Sequence, residues 1–239
     1  MALLTVDHVR VEFGGIVALA DLSFAIDEGQ ICALIGPNGA GKTTLFNCVS
    51  RLYEVKEGDI EFDGHDLLAM PAHRIAKAGI ARTFQNLALF PALSVAQNVM
   101  VGAHSRGGSS KARRADAHDL LRRLGIADLA EHRAAELPYG TLKRVEIARA
   151  LAAHPKLLLL DEPAAGLTHS EVGELGDLVR TIRSDFGLTV LLVEHHMAMV
   201  MAISDKIVVL DFGSQIAEGT PAEIRDNPRV IEAYLGTPT

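Results

Sequence analysis

Residues Gly36 to Thr44 read GPNGAGKTT, and their spacing fits G-x-x-x-x-G-K-[ST]. Glycines at these intervals let a backbone wrap an anion so that its N–H groups converge on phosphate oxygens. The expected contacts run through Asn38, Gly39, Ala40, Gly41, Lys42, Thr43 and Thr44. Lys42 would reach β- and γ-phosphates, and the Thr43 hydroxyl would ligate Mg²⁺. A second stretch, KLLLLDEP from Lys156 to Pro163, is an apolar run that ends in two adjacent carboxylates. Such acids are costly at the end of a buried strand unless a cation or substrate meets them. Asp161 suits the Mg²⁺ shell, and Glu162, one residue further along, suits polarising an attacking water.

These residues need rigid elements to hold them. Ile31 to Ile35 is a continuous apolar run directly before the glycine loop, as expected of a strand buried on both faces. A helix is expected from about Lys42 to Arg51. Short strands are also expected at Leu4–Phe13, Leu22–Ile26 and Asp59–Phe62. After Phe90 the chain turns helical and charged as far as about His154, and within it HSRGGSSKARR (104–114) reads as a polar loop or frayed helix start. Strands then return at Leu157–Leu160, Thr189–Val193 and Lys206–Leu210, separated by helical segments at Ser170–Asp185 and His196–Ile203. That alternation predicts a parallel α/β sheet interrupted by a helical lobe. No internal repeat is evident, which argues against fused tandem units.

Composition narrows the function classes. In 239 residues, 49% apolar, there are 30 acidic and 23 basic side chains, a net charge of −7. An acidic excess argues against nucleic acid as a partner, since such proteins present a basic surplus. KARRADAHDLLRR therefore reads as a charged helix face. Cys32 and Cys48 lack CxxC spacing and are expected to be reduced structural thiols of a cytosolic protein. The first residues carry Asp7, His8 and Arg10 where a signal peptide would be apolar. No run approaches the ~20 apolar residues of a bilayer span. The chain is expected to be soluble and to meet any membrane through partners.

One further helix has an unusual start. In ELPYGTLKRVEIARAL (136–151), Leu137 to Gly140 reads as non-helical, because Pro lacks a donor and Gly favours a break. From Thr141 the apolar residues Leu142, Val145, Ile147, Ala148 and Leu151 follow helical spacing, with Lys143, Arg144, Glu146 and Arg149 between them. Gly140 thus sits at a helix N-terminus, a place suited to an anion.

The phosphate loop and the Asp161–Glu162 strand specify a P-loop ATPase, and the N-K-x-D base reader of GTPases is absent. LPYGTLKRVEIARAL, lying before the Asp161–Glu162 strand, resembles the signature segment of ATP-binding-cassette (ABC) ATPases. The resemblance covers essentially the whole chain. It implies an α/β fold: a P-loop NTPase core (residues 1–87 and 155–239) with an N-terminal antiparallel β region and an inserted α-helical signature subdomain (88–154).

In that family the signature of one subunit caps the γ-phosphate held by another. Tyr139 and Gly140 would accordingly serve ATP on a partner chain. Phe13 resembles the aromatic that stacks on adenine, a contact worth ~0.5–1.5 kcal/mol. Gln85 in ARTFQN resembles the glutamine that touches Mg²⁺ and the attacking water, and His195 in LLVEHHM the histidine that contacts the γ-phosphate. His196 reads as a solvated residue at a helix start, and Met197, Met199 and Met201 as core filling. Glu194 with the adjacent histidines lacks zinc spacing.

Three positions depart from the family's pattern: Pro138 replaces a serine, Thr141 a glutamine or glutamate, and Thr168 an acidic or amide residue. The hydroxyl lost at Pro138 would have made a hydrogen bond worth about 1.5–3 kcal/mol. The expected partner is therefore a second, different ABC ATPase with an ordinary signature, a homodimer being the alternative.

FGGIVALADLSF, RTFQN and EGTPAEIRDNPRVIEAYLG together look like the ATPase of branched-chain amino-acid importers. Amide and urea importers and the lipopolysaccharide exporter share much of this pattern. The resemblance implies ATP and Mg²⁺ as cofactors, membrane permease subunits as partners, a periplasmic or extracellular substrate-binding protein as an indirect one, and a place at the cytoplasmic face of the inner or plasma membrane. A non-transport ABC ATPase would need tandem cassettes, coiled-coil arms or zinc inserts, and a non-hydrolysing scaffold would lack Glu162 or His195.

Overall fold

The computed structural model describes residues 1–235. The chain opens with two long strands, β1 (Ala2–Phe13) and β2 (Ile16–Asp27), antiparallel to each other. β3 (Ile31–Ile35) feeds the glycine loop and α1 (Lys42–Val49). Next come β4 (Glu57–Phe62), β5 (His65–Asp66), the single turn α2 (Ile75–Ala78) and β6 (Ile80–Arg82). Three helices follow: α3 (Val95–Gly102), α4 (Ser110–Arg123) and α5 (Tyr139–Leu151). The chain returns through β7 (Leu157–Asp161), α6 (His169–Phe186), β8 (Thr189–Val193), α7 (Met197–Ile203) and β9 (Lys206–Asp211). It ends with β10 (Ser214–Gly219), α8 (Pro221–Arg225) and α9 (Pro228–Leu235).

The ten strands lie in the order β5-β4-β1-β2-β10-β9-β3-β8-β7-β6. From β9 to β6 the neighbours are parallel, as the alternating strand and helix pattern predicts. β1, β2, β4 and β5 form an antiparallel region. The two parts join at one register position, Ser214 beside Asp21, reinforced by the Ala20 N–H donating to the Gly213 carbonyl.

Every residue of β3, β7 and β8 is buried, because helices cover both faces of the parallel sheet. One apolar cluster joins α3, α4, α5 and α6 to that sheet; another fills the space between α1, the antiparallel strands and the sheet's opposite face. Cys32 and Cys48 are free and buried, and burial pushes both thiols up to about 12. Among the described residues no helix is long and apolar enough to cross a membrane.

The elements differ from expectation at their ends. β2 begins at Ile16 rather than Leu22: the apolar residues Ile16 to Ala20 already belong to the strand, with Ile16 and Val17 exposed and Leu19 buried. α1 stops at Val49, with Arg51 already at φ 57°. α7 begins at Met197, with His196 as its N-cap.

Candidate functional site

The glycine loop is wedged between two strands. A Cβ on Gly36, at φ 150°, would lie 2.1 Å from the Leu210 carbonyl oxygen of β9. One on Gly41, at φ 101°, would lie 2.7 Å from the Ala18 oxygen of β2. Only glycine fits at either place. The Ala40 carbonyl accepts from the Gly213 N–H at 3.1 Å, fastening the loop's far side. Asn38, Gly39 and Thr43 remain exposed at the mouth, Thr44 is half-buried and Ala40 is buried. α1 starts without a side-chain cap and without an acid in its first turn, so its N–H groups and dipole face the loop.

Lys42 is buried, and its Nζ donates to the Gly36 and Pro37 carbonyls at 2.7 and 2.9 Å. Burial lowers its pKa, opposed by Glu162 and Asp161. The loop thus places an uncapped helix N-terminus beside a buried ammonium, a fit for a polyphosphate.

β7 delivers the two carboxylates to different surroundings. Asp161 is 4% exposed, and its Oδ2 accepts from Arg82 Nη2 at 2.7 Å. Arg82 also donates to Asn47 Oδ1 (2.8 Å) and Ser50 Oγ (3.2 Å), and its guanidinium lies between the rings of Phe46 and Phe84. Glu162 leaves the strand at φ 47°, its N–H bonded to the Val193 carbonyl at 2.9 Å. Its Oε2 accepts from Gln85 Nε2 at 2.7 Å and lies 3.3 Å from His195 Nε2. The three side chains proposed from sequence for the attack on phosphate therefore converge on one oxygen.

Glu194, 1% exposed, brackets this turn. It accepts from the N–H groups of Ala164 (2.7 Å), His195 (2.9 Å) and His196 (3.1 Å), and sits 3.0 Å from His196 Nδ1. His196, expected to be solvated, is held by that carboxylate. Asp161 and Thr43 offer hard oxygen ligands beside the loop, the donor type that a phosphate-bound Mg²⁺ takes.

Phe13, 45% exposed at the end of β1, stands edge-on to Tyr53 with centroids 5.0 Å apart. Tyr53 was not anticipated, because a lone tyrosine in a loop carries no periodicity.

α5 begins at Tyr139, two residues before the expected Thr141. Pro138 is its extended N-cap, where a missing N–H costs nothing, and its carbonyl accepts from Leu142 at 3.1 Å. Tyr139 is exposed, while Gly140 packs so near α6 that a Cβ would lie 2.6 Å from Glu171 Oε1. Thr168 caps α6 in a reciprocal box with Glu171, which gives a local reason for threonine there. A cavity of about 320 Å³ opens here, lined in part by Gly140, Thr141, Arg144, Leu167, Glu171 and Glu174. Lys143 and Glu146, expected between the apolar positions, are instead each 2% exposed.

The ABC transporter family profile matches residues 19–165, the span that holds the loop, Gln85, the Gly140 helix and the Asp161–Glu162 turn. The chain belongs to the ABC transporter family. Its ATP-hydrolysing subunits are what this chain resembles from end to end. BraF of Pseudomonas aeruginosa, a high-affinity branched-chain amino acid transport ATP-binding protein, is 41% identical over 250 residues, covering 98% of each chain. LivG of Escherichia coli, of the same description, is 41% identical over 249 residues, again covering 98% of each. LptB of Escherichia coli, a lipopolysaccharide export system ATP-binding protein, is 37% identical, covering 99% of this chain and 98% of its own.

A second profile, described as branched-chain amino acid ATP-binding cassette transporter, matches residues 214–238. Among solved structures, the ADP conformation of an ATP-binding cassette of an ABC transporter superposes with TM-score 0.89 at 30% identity, covering 99% of both chains. This ABC subunit thus has the P-loop NTPase cassette fold expected from its motifs.

Proposed function

We propose that the chain binds Mg²⁺-ATP at Gly36–Thr44 and hydrolyses it to power an importer of branched-chain amino acids. The observation that carries the chemistry is the meeting of Gln85 and His195 on Glu162 Oε2, on the strand turn following Asp161. The substrate rests on the names of BraF and LivG and on the C-terminal profile over residues 214–238. The lipopolysaccharide exporter is the second reading, favoured by LptB at 37% identity.

In this reading the backbone N–H groups of Asn38 to Thr44 hold the phosphate chain. Lys42 turns from the Gly36 and Pro37 carbonyls towards the β- and γ-phosphates. Thr43 and Asp161, with Gln85, would hold Mg²⁺, which when bound neutralises phosphate charge. Glu162 Oε2 accepts a hydrogen bond from the attacking water, positioned by Gln85, and His195 steadies the γ-phosphate. Phe13 stacks on adenine, with Tyr53 supporting its edge.

Tyr139 and Gly140 face a second ABC ATPase, and the 88–154 lobe passes closure to permease helices at the cytoplasmic face of the membrane. The nucleotide-binding core is 1–87 with 155–239. A substrate-binding protein is reached only through the permease.

Lys42→Ala should abolish ATP binding, whereas Glu162→Gln should bind ATP and lose at least a hundredfold in turnover, read by equilibrium binding and phosphate release. In a deletion strain, the wild-type gene should restore uptake of labelled leucine and the Glu162→Gln gene should not. Restored lipopolysaccharide export without leucine uptake would favour the second reading, and wild-type turnover by Glu162→Gln would remove that residue from its role.

A further inference from the structure

Helix α5 carries Lys143, Glu146 and Arg149 at intervals of three, and all three turn inward. Lys143 and Glu146 are each 2% exposed, and Arg149 is largely buried. Each addresses the backbone of the segment that carries Gln85. Glu146 Oε1 accepts the Phe84 N–H at 3.2 Å. Lys143 Nζ stands 3.5 Å from the Gln85 carbonyl oxygen and over the Tyr139 ring at 5.5 Å. Arg149 donates to the Ala88 carbonyl and lies 3.7 Å from Glu146. Burial raises the Glu146 carboxyl, against backbone bonds from Phe84 and Ala88 and the two neighbouring cations.

The helix itself has little freedom on this side. A Cβ on Gly102 of α3 would meet the Arg149 carbonyl oxygen at 1.8 Å, so the two helices touch backbone to backbone. A buried carboxylate is costly unless its surroundings use it. Here it is used on main-chain donors, one of them adjacent to Gln85, whose side chain holds Glu162 Oε2 at 2.7 Å.

We propose that Glu146 is a positioning residue for ATP turnover: by holding the Phe84 N–H it ties the Gln85 loop to α5, so that the place of the Gly140 end of that helix is felt at Glu162. This rests on the proposed roles of Gln85 and Glu162. The chain of contacts runs from the exposed Tyr139–Gly140 turn, down one face of α5, into the loop and onto the Glu162 carboxylate. No bond in it passes through the nucleotide.

The test compares Glu146→Met, Glu146→Gln, Gln85→Ala and the Glu146→Met/Gln85→Ala double variant, in the full-length chain assembled with its transporter. Methionine keeps the buried volume and removes the acceptor; glutamine keeps an oxygen for the Phe84 N–H. Glu146→Met should lower kcat about tenfold with KM for ATP within twofold of wild type, and Glu146→Gln should recover most of that loss. Added to Gln85→Ala, Glu146→Met should cost less than a further twofold.

Amide hydrogen exchange should quicken in residues 84–88 of Glu146→Met and stay unchanged in α1. Losses that multiply in the double variant would overturn the inference while leaving the proposed function standing, as would unchanged exchange at 84–88. Wild-type kcat in Gln85→Ala would overturn both Gln85's proposed role and this inference. Should Glu146→Met fail to fold, the inference stands only if Glu146→Asp, whose shorter carboxylate falls short of Phe84, shows the same kcat loss and the same local exchange.

Discussion

Glu162 adopts a φ of 47°, a region that costs a non-glycine residue roughly 1–3 kcal/mol. The strain is held from outside, by the Val193 carbonyl on the Glu162 N–H and by Glu194 on the Ala164 N–H. The same turn aims the carboxylate at Gln85 and His195, so backbone cost and side-chain aim are one feature. Asp161, its neighbour, depends on Arg82. Removing one member of a buried ion pair leaves the other uncompensated. Arg82→Met should therefore destabilise the chain by about 3–5 kcal/mol in urea unfolding, and Arg82→Met/Asp161→Asn by clearly less.

The glycine loop and the two acids were legible because their chemistry is local in sequence. Arg82, Glu146 and Glu194 were not. Each is a buried charge whose partners lie tens of residues away or on the backbone, as with Arg82 and Asp161 at a separation of 79. The one available hint was a charged residue at an inward position of α5, outweighed by the habit of charges to face water.

Among the elements, helix starts carry their own titration. Glu171 and Glu223 accept bonds from the N–H and then the hydroxyl of Thr168 and Thr220, which lowers both carboxyls. A carboxylate lowered in the folded state contributes stability that is complete above its unfolded pKa and disappears as pH falls through the folded one. Thr168→Ala removes the side-chain cap of α6 and should cost about 1 kcal/mol at neutral pH. Its stability gap from wild type should narrow without closing as pH drops below the ordinary glutamate range of about 4, because alanine keeps the backbone N–H and loses only the hydroxyl's bonds, measured by urea unfolding across pH 3–7.

The continuously buried runs of β3 and β8 and the long amphipathic α6 were readable. β6 has three residues, too few to show a period. β10 has only exposed and half-buried positions, polar and apolar mixed, because it bridges two sheet regions instead of lying deep in one. α8 and α9 hide behind prolines, which mark helix starts here.

For the whole molecule, the lobe of α3, α4 and α5 lies in the sequence between β6 and β7, which are parallel neighbours in the sheet. One apolar cluster nonetheless joins these helices to the sheet, so they share its core. Assembly gives a prediction at this scale. In the proposed reading this chain keeps Lys42, Glu162 and His195 for its own site, while the signature it would lend a partner has Pro138 in place of a hydroxyl. In a complex with a different ABC ATPase, Glu162→Gln here should reduce turnover more than the equivalent change in the partner. Equal losses in steady-state ATPase assays would refute that asymmetry.

The seam at Ser214 and Asp21 bears on how a nucleotide is felt. Phe13 belongs to the antiparallel plate, while Gly36–Thr44 follows β3 of the parallel one and touches β2 through Gly41, so the loop itself reaches across the crease where the two plates meet. A ligand that rests its base on the first plate and its phosphates on the second straddles that crease like a staple. Inorganic triphosphate would meet the crease only at Gly41, without the second anchor at Phe13.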